Sequence, residues 1–264
     1  MIAQLPGVRI WYEETIPTGP PRAGGAIPVV FMHAGTGTSR LWTYQFPAFS
    51  VAGYRCIAFD RRGYGRSAAD EPAAAPACAS DDLHALMQTL RIDRFHLVGT
   101  AAGGIVAFDF ALSHPQRLCS LVIANSIGGA QDEDYLQLQR RLRPSPQFEA
   151  LPAEIRELGP AYRAANPEGV RQWAELEQAS RAPGTPTMPK TRNRITFAAL
   201  ETLQVPTLLL TGDADLYAPP PVMKLFRDRI KNSASAVIPE CGHSSFWEKP
   251  ELFNKTVLDF LNQH

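Results

Sequence analysis

The 264-residue chain carries 26 basic and 26 acidic side chains, so no net field draws it to nucleic acid or an anionic membrane surface. Its 45% hydrophobic and 20% charged residues suit one large globular domain, or a core with an insertion. No apolar run approaches the ~20 residues of a membrane span, and residues 1–7 lack the basic-then-apolar order of a secretory leader. A cytoplasmic protein is the expectation, and a homodimer is compatible with it. Cys56, Cys78, Cys119 and Cys241 show neither C-x-x-C nor metal-ligand spacing, so reduced, buried thiols are expected.

Residues 8–13 alternate well enough for an edge strand, and the Pro/Gly-rich stretch 17–28 reads as a loop. The apolar run 28–32 ends in His33-Ala34-Gly35, as a strand buried on both faces would. Ser39 is placed to cap a helix carrying Leu41, Trp42, Phe46 and Phe49. Residues 54–60 form the next strand, 68–79 a low-complexity surface loop, and Ser80 the cap of a helix bearing Leu83, Leu86, Met87 and Leu90. Strands at 95–98, 118–124, 206–211 and 234–238 follow, with helices over 104–113, 219–230 and 250–262. Strand alternating with helix implies a mostly parallel sheet covered on both faces. Residues 128–203 break that rhythm with helical patches at 135–142, 153–164 and 167–177 between proline-rich joints. The expected organisation is therefore a core of 1–127 and 204–264, with a helical cap at 128–203 over the carboxyl edge of the sheet.

The most informative segment is His96-Leu97-Val98-Gly99-Thr100-Ala101-Ala102-Gly103-Gly104-Ile105. A short apolar strand, a glycine-flanked turn and a helix are the setting of the nucleophile elbow, G-x-S-x-G. The glycines are there because the turn brings backbone segments too close for a Cβ. In this chain the apex is Ala101, so the frame is present and the hydroxyl is not. The segment 99–104 is not G-x-G-x-x-G, and no ligand cluster is visible, so no cofactor or metal is expected.

Four motifs in order carry a resemblance over nearly the full length. They are Phe31-Met32-His33-Ala34-Gly35-Thr36-Gly37 with Trp42, then Asp60-Arg61-Arg62-Gly63-Tyr64-Gly65-Arg66-Ser67, then the elbow. The fourth is Thr211-Gly212-Asp213-Ala214-Asp215 with Cys241-Gly242-His243. Together they resemble the α/β-hydrolase superfamily, and its small-molecule esterase, enol-lactonase and C–C hydrolase branch in particular. The first motif departs from the pattern at Ala34, where the family has glycine. The resemblance implies an eight-stranded-type, mostly parallel sheet with helices on both faces and an inserted helical cap. It implies His243 as general base and then acid, and Asp215, rather than the loop-bracing Asp213, as the carboxylate that orients it. Backbone N–H groups of Gly35 and Ala102 would form the oxyanion hole. Asp60 and Arg62 would brace their turn.

Three explanations of Ala101 are open at this point. It is an engineered Ser→Ala change in an otherwise active hydrolase, or a natural alanine in an enzyme that dispenses with covalent catalysis. In the second case His243–Asp215 activates water directly, or moves a proton in a lyase- or decarboxylase-like reaction. The third reading is a catalytically silent receptor that keeps the pocket for a ligand. Ser126 is the first candidate for a substitute nucleophile, although it lacks elbow geometry. His33 (chiefly structural), Thr36, Ser126, Trp173, Tyr217 and Trp247 are the candidate pocket walls. Arg140, Arg141, Arg143, Arg192 and Arg194 read first as a solvated face, yet one that reached the pocket could hold a substrate carboxylate. The expected partner is a small carbonyl compound: an ester, a lactone or a ketone with a cleavable C–C bond.

Overall fold

The computed structural model describes residues 1–20, 27–69, 78–143, 145–182 and 184–264. In chain order the strands are β1 (Ile2–Leu5), β2 (Val8–Thr15), β3 (Val29–Met32), β4 (Cys56–Phe59), β5 (Ala68–Ala69), β6 (Phe95–Thr100), β7 (Leu118–Ala124), β8 (Thr207–Gly212) and β9 (Ser233–Ile238). Among the described residues they form one sheet in the order β1-β2-β4-β3-β6-β7-β8-β9, with the two-residue β5 paired to β2. The pairs from β4 through β9 are parallel, and β2 pairs antiparallel with both β1 and β4.

Helices α1 (Gln45–Val51), α2 (Ala79–Thr89) and α3 (Ala102–Ser113) connect the strands before β7. Between β7 and β8 the chain inserts α4 (Glu133–Leu142), α5 (Pro146–Ala150), α6 (Ala153–Glu157), α7 (Pro160–Ala165), α8 (Pro167–Gln178) and α9 (Phe197–Leu200). After β8 come α10 (Pro220–Arg227), α11 (Ser245–Glu248) and α12 (Pro250–Leu261).

The apolar runs of the central strands divide with a period of two. Val30, Met32, Leu97, Leu121, Ile123 and Leu209 join one core, which α2, α3 and α10 complete. Val29, Phe31, Val98, Val122, Leu208 and Leu210 join the other, completed by α1, α11 and α12. A strand packed on both faces needs apolar residues at both parities, and this gives the unbroken runs in the sequence. Helix α3 is buried from Ala102 to Ala111, as a helix behind the middle of the sheet must be.

Local departures from the expected elements have local causes. The edge strand is β1, not β2, because the Pro6-Gly7 turn folds residues 2–5 back onto β2. Thr38, not Ser39, caps the turn that carries Trp42. Ser80 lies inside α2, where its hydroxyl donates to the buried carboxylate of Asp109, and Cys78 stands at the cap. The expected helix over 153–164 is broken, with Leu158 and Gly159 extended ahead of Pro160. Proline disfavours helical backbone in the residue before it, so the break was readable from Gly159-Pro160. The loops expected over 17–28 and 68–79 lie partly outside the described residues, at 21–26 and 70–77. The four cysteines are free and buried, and burial pushes the Cys56 thiol up to about 12. No helix among the described residues is long and apolar enough to cross a membrane.

Candidate active site

Because the central strands are parallel, their carboxyl ends share one edge of the sheet, and the loops carrying Gly35, Ala101, Asp215 and His243 all leave from it. Ala101 alone joins β6 to α3, at φ 48° and ψ −117°. Its N–H donates to the Ala124 carbonyl at 3.0 Å. Its own carbonyl accepts from Gly104 N at 3.0 Å and from Ser126 Oγ at 2.6 Å. A Cβ on Gly103 would stand 2.3 Å from the Met32 carbonyl oxygen, and one on Gly99 2.6 Å from the Gly103 oxygen. The turn therefore closes only with those glycines.

A positive-φ backbone costs a non-glycine residue roughly 1–3 kcal/mol, which surrounding structure must offset. Ala101→Gly is accordingly expected to stabilise the fold by about 1 kcal/mol after the entropy of the added glycine, raising Tm by about 2–4 °C. A thermal scan that shows no rise, or a fall, would remove strain from the account of this turn.

Asp215 and His243 meet at the same edge of the sheet, and His243 lines one cavity with Ala101. The imidazole Nδ1 lies 2.8 Å from both carboxylate oxygens. Asp215 Oδ1 also accepts from the backbone N–H groups of Tyr217 (2.8 Å) and Ala218 (2.9 Å). Its Oδ2 accepts from Asn125 Nδ2 (3.1 Å) and Thr211 Oγ1 (3.2 Å). Burial alone would raise this carboxyl, but the imidazole and the donors outweigh it and hold Asp215 below the usual aspartate value. Burial likewise pulls His243 down, yet the charges of Asp215 and Glu157 and the hydrogen bond to Asp215 win, so the imidazole sits above its ordinary value.

A cavity of about 290 Å³ opens in front of these groups. The core contributes Gly35, Thr36, Ala101, Ala102, Tyr217 and His243, and the insertion contributes Arg143, Glu149, Arg156, Glu157, Glu177 and Arg181. The helices between β7 and β8 thus supply the charged wall opposite the elbow. Arg156 pairs with Glu149 at 3.1 Å and also donates to the Tyr217 hydroxyl at 2.9 Å. Arg181 pairs with Glu177 at 3.3 Å and donates to the Gly35 carbonyl at 2.8 Å.

Several residues expected at the pocket lie elsewhere. Ser126 is buried with its hydroxyl committed to the Ala101 carbonyl and the Gly128 N–H, so it braces the elbow from behind. His33 is fully buried between its own loop and Arg61: Nδ1 is 2.7 Å from the Ala34 carbonyl, and Nε2 accepts from Arg61 N at 2.9 Å. Trp173 and Trp247 pack in the second core: an aromatic residue at helical spacing, as Trp173 is, looks the same in sequence as a cavity wall, and the closeness to His243 that made Trp247 a candidate does not fix where its side chain points. Of the five arginines singled out, only Arg143 lines the cavity. Asp213 accepts from Cys241 N at 3.2 Å, and Asp60 from Ser39 N and Arg66 N at 2.9 Å each, so both brace loops. Arg62 pairs with Asp82 at 2.8 Å.

Three residues that hold Asp215 and His243 in place went unnoticed in the sequence, as did the cavity-lining Glu149, Arg156, Glu177 and Arg181. Asn125 bridges Asp215 to the Gly242 carbonyl and accepts from the Ser245 hydroxyl. Glu248 accepts from the N–H groups of Gly159, Gly242 and Ser244 at 2.8–3.2 Å, clamping the His243 loop to the insertion. Glu157 is the third: its carbonyl accepts from His243 N at 2.7 Å, and its carboxylate stands 4.0 Å from Nε2. No motif marks any of them.

A mostly parallel sheet with a glycine-framed elbow and a buried Asp–His pair at its carboxyl edge defines an α/β-hydrolase architecture. A model of the alpha/beta hydrolase fold matches residues 27–250, and the chain belongs to that family. RutD of Caulobacter sp. (strain K31), a protein named for carbamate hydrolysis, is 30% identical over 88% of this chain and 90% of its own length. A 2-hydroxy-6-oxononadienedioate/2-hydroxy-6-oxononatrienedioate hydrolase of Paraburkholderia phymatum is 28% identical over 97% of this chain and 92% of its own. Among solved structures, a thermophilic esterase from Thermogutta terrifontis shares the fold with a TM-score of 0.76 at 24% identity, covering 100% of this chain and 98% of that one.

Proposed function

We propose that the chain is a hydrolase-type enzyme for a small carbonyl compound that works without a covalent acyl intermediate. The Asp215–His243 pair takes part in moving the protons of the reaction, and the Gly35 and Ala102 amides hold the oxyanion. The observation that carries this reading is the elbow itself. Ala101 keeps the costly backbone conformation of a working apex, beside a fully hydrogen-bonded Asp–His pair. Ser126 is no substitute nucleophile on this reading, since its hydroxyl is already spent on the Ala101 carbonyl.

The cavity also speaks to the substrate. Arg143 donates to Gln139 Oε1 at 3.1 Å and lies 5.4 Å from the Tyr217 ring, with no carboxylate partner among the described residues. A guanidinium so placed suits an anionic substituent on the substrate. Ester, carbamate, lactone and C–C substrates remain in the class, and the relatives named for carbamate and dienedioate hydrolysis support it.

Ala101→Ser tests the reading. With a fluorophosphonate reagent the unmodified chain is expected to take no adduct, while the serine variant takes one at position 101 and shows a burst on an aryl ester. An adduct on another residue of the unmodified chain would refute a non-covalent mechanism. Ligand binding with no turnover in either form would favour a receptor.

A further inference from the structure

The serine-free apex leaves one question of chemistry: which group takes the proton from attacking water. His243 is poorly placed to do so. Its Nδ1 faces Asp215 and its Nε2 faces a second carboxylate, Glu157 Oε2, at 4.0 Å. An imidazole between two carboxylates holds its proton rather than accepting one. Glu157 differs from the other two cavity glutamates. Glu149 and Glu177 are each paired with an arginine, whereas the Glu157 carboxylate, only 8% exposed, accepts no hydrogen bond among the described residues. The 4.0 Å gap is wider than a direct hydrogen bond and leaves both groups facing the cavity. The two residues are also tied through the backbone by the 2.7 Å bond from His243 N to the Glu157 carbonyl, so they keep register.

We propose that Glu157, carried by the insertion, is the catalytic base of this enzyme and that His243 is its acid, the two dividing the work a serine and one histidine would share. The proposal rests on the non-covalent reading above. The Glu157 carboxylate takes a proton from water as the water oxygen bonds to the carbonyl carbon, and the C=O π pair moves to oxygen against the Gly35 and Ala102 amides. The intermediate collapses as its oxyanion re-forms C=O and the bond to the leaving group breaks. The leaving group takes the proton from His243 Nε2. The proton on Glu157 then passes to the neutral imidazole, and both groups return to their starting states.

The charges around the pair agree. Burial raises the Glu157 carboxyl, opposed by His243 and Arg156 and assisted by Asp215 and Glu177. Around the imidazole stand Asp215, Glu157 and Glu248. The Tyr217 ring centroid packs 4.6 Å from that of His243.

The test is Glu157→Gln, with Glu157→Asp as the rescue. Two readouts are needed: the His243 imidazole titration by NMR, and steady-state kinetics on p-nitrophenyl acetate, a carbamate ester, a small lactone and a vinylogous β-diketone. Loss of one flanking carboxylate should lower the imidazole titration by ~1 pH unit. It should also reduce kcat by roughly 10²–10³-fold with little change in KM, part of which the aspartate variant regains. An unmoved titration, or turnover by Glu157→Gln within about twofold of the unmodified chain, overturns the role of Glu157 and leaves the non-covalent reading standing. If the unmodified chain turns over none of the four substrates, that reading falls, and the role of Glu157 falls with it.

Discussion

Asp215→Asn is expected to lower kcat on the order of 10³–10⁴-fold while leaving the fold assembled. The carboxamide is nearly isosteric, but one terminal atom changes from acceptor to donor. Asp215 now accepts five hydrogen bonds' worth of donors: two backbone N–H groups, Asn125, Thr211 and the imidazole. An asparagine cannot answer all of them. If its oxygen stays with Tyr217 and Ala218, its NH₂ faces Nδ1, so the imidazole must be neutral with Nδ1 bare, and it loses the charge that makes it an acid. If it flips, two buried amides lose their acceptor, at roughly 1–3 kcal/mol each.

The loss also carries a pH signature. Asp215 is held below its ordinary 3.8, so its contribution to stability is present above that value and fades as pH falls through the depressed one. His243 is held above its ordinary 6.5, so its contribution is full below that value and is lost as pH rises through the raised one. Both are at full strength between 3.8 and 6.5. The Tm gap between the unmodified chain and Asp215→Asn should therefore be larger at about pH 5.5 than at about pH 9. An equal gap at both pH values, or kcat within about tenfold of the parent, would mean that the pair does not act as a charged unit.

The elbow and the sheet were legible because each leaves a local mark, whereas the Asp–His pair was legible through the resemblance of the motifs around Asp215 and His243 to those of the family. Close backbone approach at Gly99 and Gly103 allows no side chain, and strands buried on both faces are written as unbroken apolar runs. Glu157, Glu248 and Asn125 leave none. The partners that tie them to the rest of the site lie 86, 89 and 90 residues away, at His243, Gly159 and Asp215, so only the folded chain brings these groups together. The misplaced tryptophans have the same origin. Trp173 sits at helical spacing, a pattern identical for a residue facing the core and one facing a cavity, and Trp247 follows His243 closely in the chain yet packs in the core while His243 lines the cavity. The one error avoidable from sequence was the helix drawn through Gly159-Pro160. It matters because the break places Glu157 at the end of α6 and the Gly159 N–H against Glu248.

That contact makes Glu248 a residue whose removal should cost several kcal/mol of stability. Its carboxylate, 5% exposed, satisfies the N–H groups of Gly242 and Ser244 on either side of His243, and of Gly159 on the insertion. Burial pushes its carboxyl above the ordinary value, while those three donors pull the other way. Glu248→Ala leaves three buried amides without an acceptor and opens a void beneath the loop. Each orphaned donor costs roughly 1–3 kcal/mol, and the three are not independent, so the expected loss is about 3–5 kcal/mol. For a chain of this size that corresponds to a fall in Tm of about 10 °C or more. Glu248→Gln keeps one acceptor oxygen and turns an NH₂ toward an N–H, so it should fall between. Glu251→Ala, on the exposed first turn of α12, is the control and should stay within about 0.5 kcal/mol of the parent. The two losses should also separate in kind. Asp215→Asn takes activity while largely sparing the fold, whereas Glu248→Ala lowers Tm first and takes activity through it, because His243 no longer has a fixed loop. A Glu248→Ala variant that melts within about 2 °C of the parent would show the clamp to be dispensable.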